Sequence, residues 1–261
     1  MNIYINEESI LHIETLIVGL PEHINQLREI KYNNQSINEQ LETLKQHHII
    51  GSSVGKISST MFYTNNQPKR LLTVGLGNLK DLSYQRLLKV WGHTFQFLKQ
   101  EHINEAEVLL DTFISKYNDS IEVAKTFGLQ SNQSIYQFDN YKSDKKAPYQ
   151  PNIYVQTEFD KVNSAIYEGQ QLGKSINLAR ELSQMPPNIL TPQYFAEEID
   201  NHFKESGVSV HIKDAETLVS EGFGLLHAVG KGSVNGPRLI TMTYNGGKAN
   251  EASIALVGKG I

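Results

Sequence analysis

Gly258-Lys259-Gly260 is the stretch whose residue types come nearest to chemistry. It follows the apolar run Ser253 to Val257, and α/β sheets place their reactive residues at the carboxyl ends of strands. A neutral amine can ligate a metal and an ammonium cannot, so a metal-binding Lys259 needs a depressed pKa. Burial and a neighbouring cation both depress it. The plain alternative is a turn carrying a solvated lysine, the commoner use of Gly-Lys-Gly.

Three glycine patterns could in principle cradle phosphate. Val74-Gly75-Leu76-Gly77 after an apolar run suggests a dinucleotide turn, but Lys80 stands where the third glycine belongs and no acidic residue ends a second strand at the required distance. A tight strand-to-helix turn is the simpler reading. Gly169-x-x-x-Gly173-Lys174-Ser175 is one residue short of a P-loop and falls inside a helical pattern. Gly230-Lys231-Gly232-Ser233 fails on spacing. A phosphate-binding nest needs its full set of glycines and amides, so neither qualifies.

The nine histidines give no His-Glu-x-x-His and no evident ligand pair. His47-His48 points to opposite sides of a helix and reads as solvated surface, while His93 and His227 read as partly buried packing residues. No Gly-x-Ser-x-Gly elbow is present. With zero cysteines there is no disulfide framework, thiolate ligand or thiol nucleophile.

Bulk properties narrow the class further. The 261 residues are 39% hydrophobic and 20% charged with mean hydropathy -0.37, ordinary for a soluble globular protein of one large or two ordinary domains. The net charge of -4 argues against general nucleic-acid binding. No apolar run reaches the roughly 18 residues of a membrane span, and MNIYINEESI lacks the basic and apolar regions of a secretory signal. A cytoplasmic location is the expectation.

The elements that must position these residues alternate between strand and helix, which predicts an α/β layer with a parallel or mixed sheet. Strands are expected at Asn2 to Ile5, His12 to Leu20, Ser59 to Thr64, Leu71 to Val74, Glu105 to Leu110 and Ile153 to Gln156. Ser59 to Thr64 and Leu71 to Val74 should be neighbours across an Asn65-Asn66-Gln67-Pro68 turn. Helices are expected over a short stretch after Pro21 (with Ile24, Leu27 and Ile30), Asn38 to His47, Tyr84 to Gln100, Ser120 to Leu129 and Asp160 to Gln184. Later strands fall at Val208 to Ile212, Leu239 to Tyr244 and Ser253 to Val257, with a helix at Ala215 to Ser220.

The stretch from Arg180 to Tyr194, RELSQMPPNILTPQY, reads as a hinge. Leu172, Ile176 and Ala179 end a helix, and Pro186-Pro187 stops it because neither proline donates an N–H. Thr191-Pro192 then supplies an N-cap with proline at the first helical position of a helix through Phe195, Ile199 and Phe203.

Asn177 to Ile199, NLARELSQMPPNILTPQYFAEEI, resembles the segment that opens the catalytic domain of the cytosolic leucyl aminopeptidase family, the two-metal M17 type. Gly128 to Lys146, with its Tyr-x-Phe-Asp-x-Tyr-Lys core, Gly222 to Tyr244, and Ala255 to Ile261 resemble further family segments in the family's order. Leu71 to Asn78 is a weaker match.

The resemblance implies a macro-like N-terminal α/β domain with a mixed sheet over residues 1–158, a connecting helix over 159–184, and an incomplete α/β peptidase catalytic domain over 185–261. It implies removal of N-terminal, preferentially Leu-like, amino acids from peptides, with two divalent metals (Mn or Zn), and assembly as hexamers. It assigns Lys259 as a metal ligand. The family's other ligands and its catalytic Lys and Arg have no counterpart up to Ile261, so no catalytic residue is assigned, and this chain alone is expected to bind no metal and to be inactive. The rival expectation is a binding module on the macro-like domain, holding a nucleotide-like ligand beside Gly75-Leu76-Gly77.

Overall fold

The computed structural model describes residues 1–7, 13–27, 29–32, 35–64, 67–248 and 251–260. It divides into two compact units, Met1–Glu181 and Leu182–Ile261.

The first unit is built on a six-stranded sheet in the order β1-β8-β7-β2-β6-β5. Its strands are β1 (Asn2–Ile5), β2 (Thr15–Pro21), β5 (Ile57–Thr64), β6 (Gln67–Gly77), β7 (Glu105–Leu109) and β8 (Asn152–Gln156). All neighbours run parallel except β5, which pairs antiparallel with β6 from Ile57↔Val74 to Thr64↔Gln67. The mixed α/β fold expected from the alternation is therefore present. Every residue of β2, TLIVGLP, is buried, as a strand covered on both faces should be. The expected strand from His12 begins outside the described residues, as does the Asn65-Asn66 turn.

The two faces of this sheet carry separate cores. One is covered by the helices α2 (Tyr84–Gln100), α3 (Ser120–Gln133) and α4 (Val162–Gln184). Trp91 is its hub, with ring centroids 4.2 Å from Phe113 and 4.9 Å, edge-on, from Phe127. The other face is covered by residues 24–50: Ile24, Ile30, Tyr32, Ile37, Leu41 and Ile50 pack on Leu16, Val18, Leu71 and Leu109. That segment contains the two-residue strands β3 (Lys31–Tyr32) and β4 (Gln35–Ser36) and helix α1 (Asn38–Gln46). The short helix expected after Pro21 is only a single 3-10 turn, Ile24–Gln26. Ile24 and Ile30 reach the core anyway, so burial rather than helix formation explains their spacing. Helix α4 starts after Lys161, whose φ of 63° is left-handed.

The second unit contains α5 (Pro192–Phe203), α6 (Ala215–Ser220), α7 (Gly224–Gly230) and an antiparallel pair, β9 (Val208–Lys213) with β10 (Leu239–Tyr244). Thr191 caps α5 as expected, its Oγ1 accepting from the Tyr194 N–H at 3.2 Å. Asp214 caps α6 in the same way, accepting from Thr217 N–H at 2.9 Å.

The strand expected at Ser253 to Val257 is not formed: residues 251–260 have no regular structure, and Ile254, Leu256 and Val257 are 90%, 95% and 96% exposed. Apolar composition favours burial, but a strand exists only where a neighbour supplies N–H and C=O groups. Neither β9 nor β10 pairs with this segment.

Candidate functional site

Lys259 lies in that irregular, exposed segment. Among the described residues no group of three or more His, Cys, Asp or Glu side chains is placed to hold a metal ion. The described residues therefore do not fit a two-metal centre. Lys259 offers one amine, without the burial that metal ligation by lysine requires.

The glycine patterns have structural roles instead. A Cβ on Gly75 would lie 2.1 Å from the Ser53 carbonyl oxygen, and Gly77 has φ +66°. The Gly75 N–H donates to the Lys56 carbonyl (2.8 Å) and the Gly77 N–H to the Ser52 carbonyl (2.7 Å). The amides that would face phosphate are satisfied by the chain's own 51–56 loop, which also fills the space. This removes the pocket that a nucleotide-binding module would need beside Gly75-Leu76-Gly77.

Gly169 and Gly173 are where α4 meets α3. A Cβ on Gly169 would stand 2.1 Å from the Lys125 carbonyl oxygen, one on Gly173 2.6 Å from that of Leu129, and one on Gly128 2.1 Å from that of Ile166. The two helices touch backbone to backbone. Polar side chains reinforce the seam: Asn132 Nδ2 donates to Gln170 O (3.2 Å) and Asn177 Nδ2 to Asn132 O (3.1 Å). Gly230 is closed off by Pro237, 2.8 Å from the position of a Cβ.

His47 and His48 are exposed, as expected. His93 is more exposed than the packing role implied, and its Nδ1 lies 2.9 Å from the Gly55 carbonyl. His227 is half-buried.

The Tyr136–Lys142 segment clasps the end of α4. The Arg180 guanidinium lies over the Tyr136 ring and donates to Gln133 O at 3.1 Å, while Asn140 Nδ2 donates to Glu181 Oε1 at 2.8 Å. Inside the segment, Lys142 and Gln137 hold the Asp139 carboxyl below the usual carboxylate range.

Sequence reasoning missed one cluster. Glu107, Tyr32 and Lys69 are 2%, 5% and 6% exposed. Tyr32 Oη donates to Glu107 Oε2 at 2.9 Å, Lys69 Nζ donates to the Ile13 carbonyl, and the ammonium lies 5.6 Å from the Tyr32 ring centroid. Burial pushes the Glu107 carboxyl and the Tyr32 phenol up and the Lys69 ammonium down. The Tyr32 hydrogen bond and the Lys69 charge partly counter the shift of Glu107. At that depth no substrate reaches the three groups, so they hold the second core together rather than perform chemistry. The available signal was parity, because Glu107 shares its sheet face with the core residue Leu109.

Residues 17–145 match the model of the cytosol aminopeptidase family N-terminal domain, and residues 177–261 match that of the cytosol aminopeptidase family catalytic domain. Among solved structures, the bottromycin maturation enzyme BotP is 19% identical with a TM-score of 0.69, over 89% of this chain and 46% of that one. The same enzyme in complex with Mn gives 18%, 0.69, 89% and 45%. A mutant of tomato leucine aminopeptidase gives 18% and 0.70, over 93% of this chain and 50% of that one. The chain thus spans about half the length of these proteins, and at such identities the likeness is one of fold.

Proposed function

The chain belongs to the cytosol aminopeptidase family, and from that premise we propose that it serves a metal-dependent aminopeptidase removing Leu-like residues from peptide N-termini. The observation that carries this reading is the pair of family-domain matches, in order, over residues 17–145 and 177–261. Divalent ions, manganese or zinc, supply Lewis-acid chemistry in such an enzyme. In this reading Lys259 is one ligand of that metal centre, residues 1–158 form the N-terminal domain, 159–184 the connecting helix, and 185–261 the beginning of the catalytic domain. The working protein is a hexamer in the cytoplasm. No helix among the described residues is long and apolar enough to cross a membrane.

The described residues set a limit on the chain by itself. One exposed lysine without clustered carboxylates is not a metal site, so residues 1–261 alone should hydrolyse nothing. The test uses leucyl-p-nitroanilide with manganese, before and after chelation, on residues 1–261 and on the protein purified from its natural source. Chelator-sensitive hydrolysis by the natural protein alone is the expected result. Hydrolysis that survives chelation, or none on any aminoacyl amide, rules the proposal out.

A further inference from the structure

Asparagine is followed by glycine twice in the sequence, at Asn235-Gly236 and Asn245-Gly246, and both pairs lie in the second unit. Glycine has no Cβ to shield its amide nitrogen and leaves the backbone free to turn. That nitrogen can therefore approach the carboxamide carbon of the asparagine before it. The two pairs are held differently. At the first, the Asn235 N–H donates to Ser233 Oγ at 3.1 Å, and Arg238 Nη1 donates to the Pro237 carbonyl at 3.0 Å and the Gly236 carbonyl at 3.4 Å. Gly236 is half-buried, with Ala215 Cβ 3.3 Å from where its own Cβ would lie, and Pro237 is seated on Gly230. The second pair directly follows Tyr244, the last residue of β10, and has no regular structure. Asn245 and Gly246 are both exposed, and among the described residues neither makes a hydrogen bond. The Tyr244 ring occupies the place of a Gly246 Cβ, which keeps residue 246 a glycine without bonding its amide.

We propose that Asn245 is a site of covalent self-modification, a deamidation that converts it to aspartate and isoaspartate. The Gly246 amide nitrogen gives up its proton to a base and bonds to Asn245 Cγ, and the Cγ–Nδ2 bond breaks. Nδ2 takes up a proton and leaves as ammonia, so a cyclic succinimide remains. Water then opens the ring. Breaking the bond from nitrogen to Cγ gives aspartate, and breaking the bond to the backbone carbonyl carbon gives isoaspartate. The sum is asparagine plus water to acid plus ammonia, with nothing oxidised or reduced. Each event makes the chain one unit more negative than its -4. Isoaspartate also adds a methylene to the backbone between β10 and the 251–260 segment that carries Lys259. Asn235 is spared because closing the same ring there must turn a peptide whose flanks are bonded. One such bond retained slows the reaction about tenfold.

The test compares the two pairs within one molecule. Folded protein is held at mildly alkaline pH, sampled over days, digested at acidic pH and mapped by mass spectrometry. Asn245 should gain the mass of amide-to-acid exchange first, and Asn235 should follow about tenfold more slowly. In guanidinium chloride, where only the local sequence matters, the two rates should converge. Asn245→Gln should remove the earliest acidic species on anion exchange, since glutamine closes its larger ring far more slowly. Asn245 that stays intact in the folded protein while reacting in guanidinium chloride overturns the proposal. So does Asn235 keeping pace with Asn245 in the folded protein.

Discussion

The guanidinium carbon of Arg180 stands 4.2 Å from the centroid of the Tyr136 ring. This joins the Tyr136–Lys142 segment to the last full turns of α4, and a second strut, Asn140 to Glu181, lies one residue on. Stretches that look like separate motifs in the sequence thus form one physical device, a clasp on the end of a long helix.

Arg180→Ala should weaken the first unit by about 1–2 kcal/mol, through loss of the cation–π contact and of the bond to the Gln133 carbonyl. Arg180→Lys should recover only part of this, because a point charge replaces the planar fork. Urea denaturation of the three proteins measures the difference. Equal midpoints would show that the clasp contributes nothing.

Glu107 governs a pH dependence whose sign is fixed by its burial. Its folded-state pKa is raised above the ordinary 4.5, so the folded state binds more protons than the unfolded state just above that pH. Stability is therefore fullest below the unfolded value and falls as pH rises through the folded one. Glu107→Gln removes this titration while keeping an acceptor for Tyr32. The native-minus-variant difference in urea midpoint should decline from pH 4.5 upward, and a rising difference would contradict the burial argument.

Gly169→Ala forces a methyl group to 2.1 Å from the Lys125 carbonyl oxygen, a backbone atom with nowhere to go. The cost should be about 3 kcal/mol, the upper range for overpacking. Gly207→Ala is the control: φ is +75° but nothing lies within 4 Å, so only backbone strain of about 1 kcal/mol applies. Thermal melts of the two variants should separate accordingly.

Thr191→Ala deletes the acceptor for the Tyr194 N–H at the start of α5. The loss should be about 1 kcal/mol, and Thr191→Ser should restore most of it. Hydrogen exchange at the first turn of α5 reads this directly, and unchanged protection in the alanine variant would refute the cap.

Much of this was legible in the chain. Thr191-Pro192 announces its cap through chemistry that is local, and the alternating strands and helices specify the layer. Long-range partners are what the sequence conceals. Gly169 and Gly173 look like a damaged phosphate motif until Lys125 and Leu129 are seen against them. Glu107 looks like surface until Tyr32, from an earlier segment, is seen to bond it. Ser253 to Val257 shows the converse error, because its apolar character specifies a strand only if a neighbour is present to pair with it.

The 51–56 loop is, in effect, an intramolecular stand-in for a ligand at the Gly75-Gly77 turn. Two backbone donors at the carboxyl end of a parallel strand are occupied by the carbonyls of Ser52 and Lys56. A receptor and its plug are therefore encoded at the open end of one hairpin, the glycines closing β6 and the loop leading into β5. Evolution or design could uncover an anion-binding turn here by shortening one surface loop, with no change to the strand that carries the glycines.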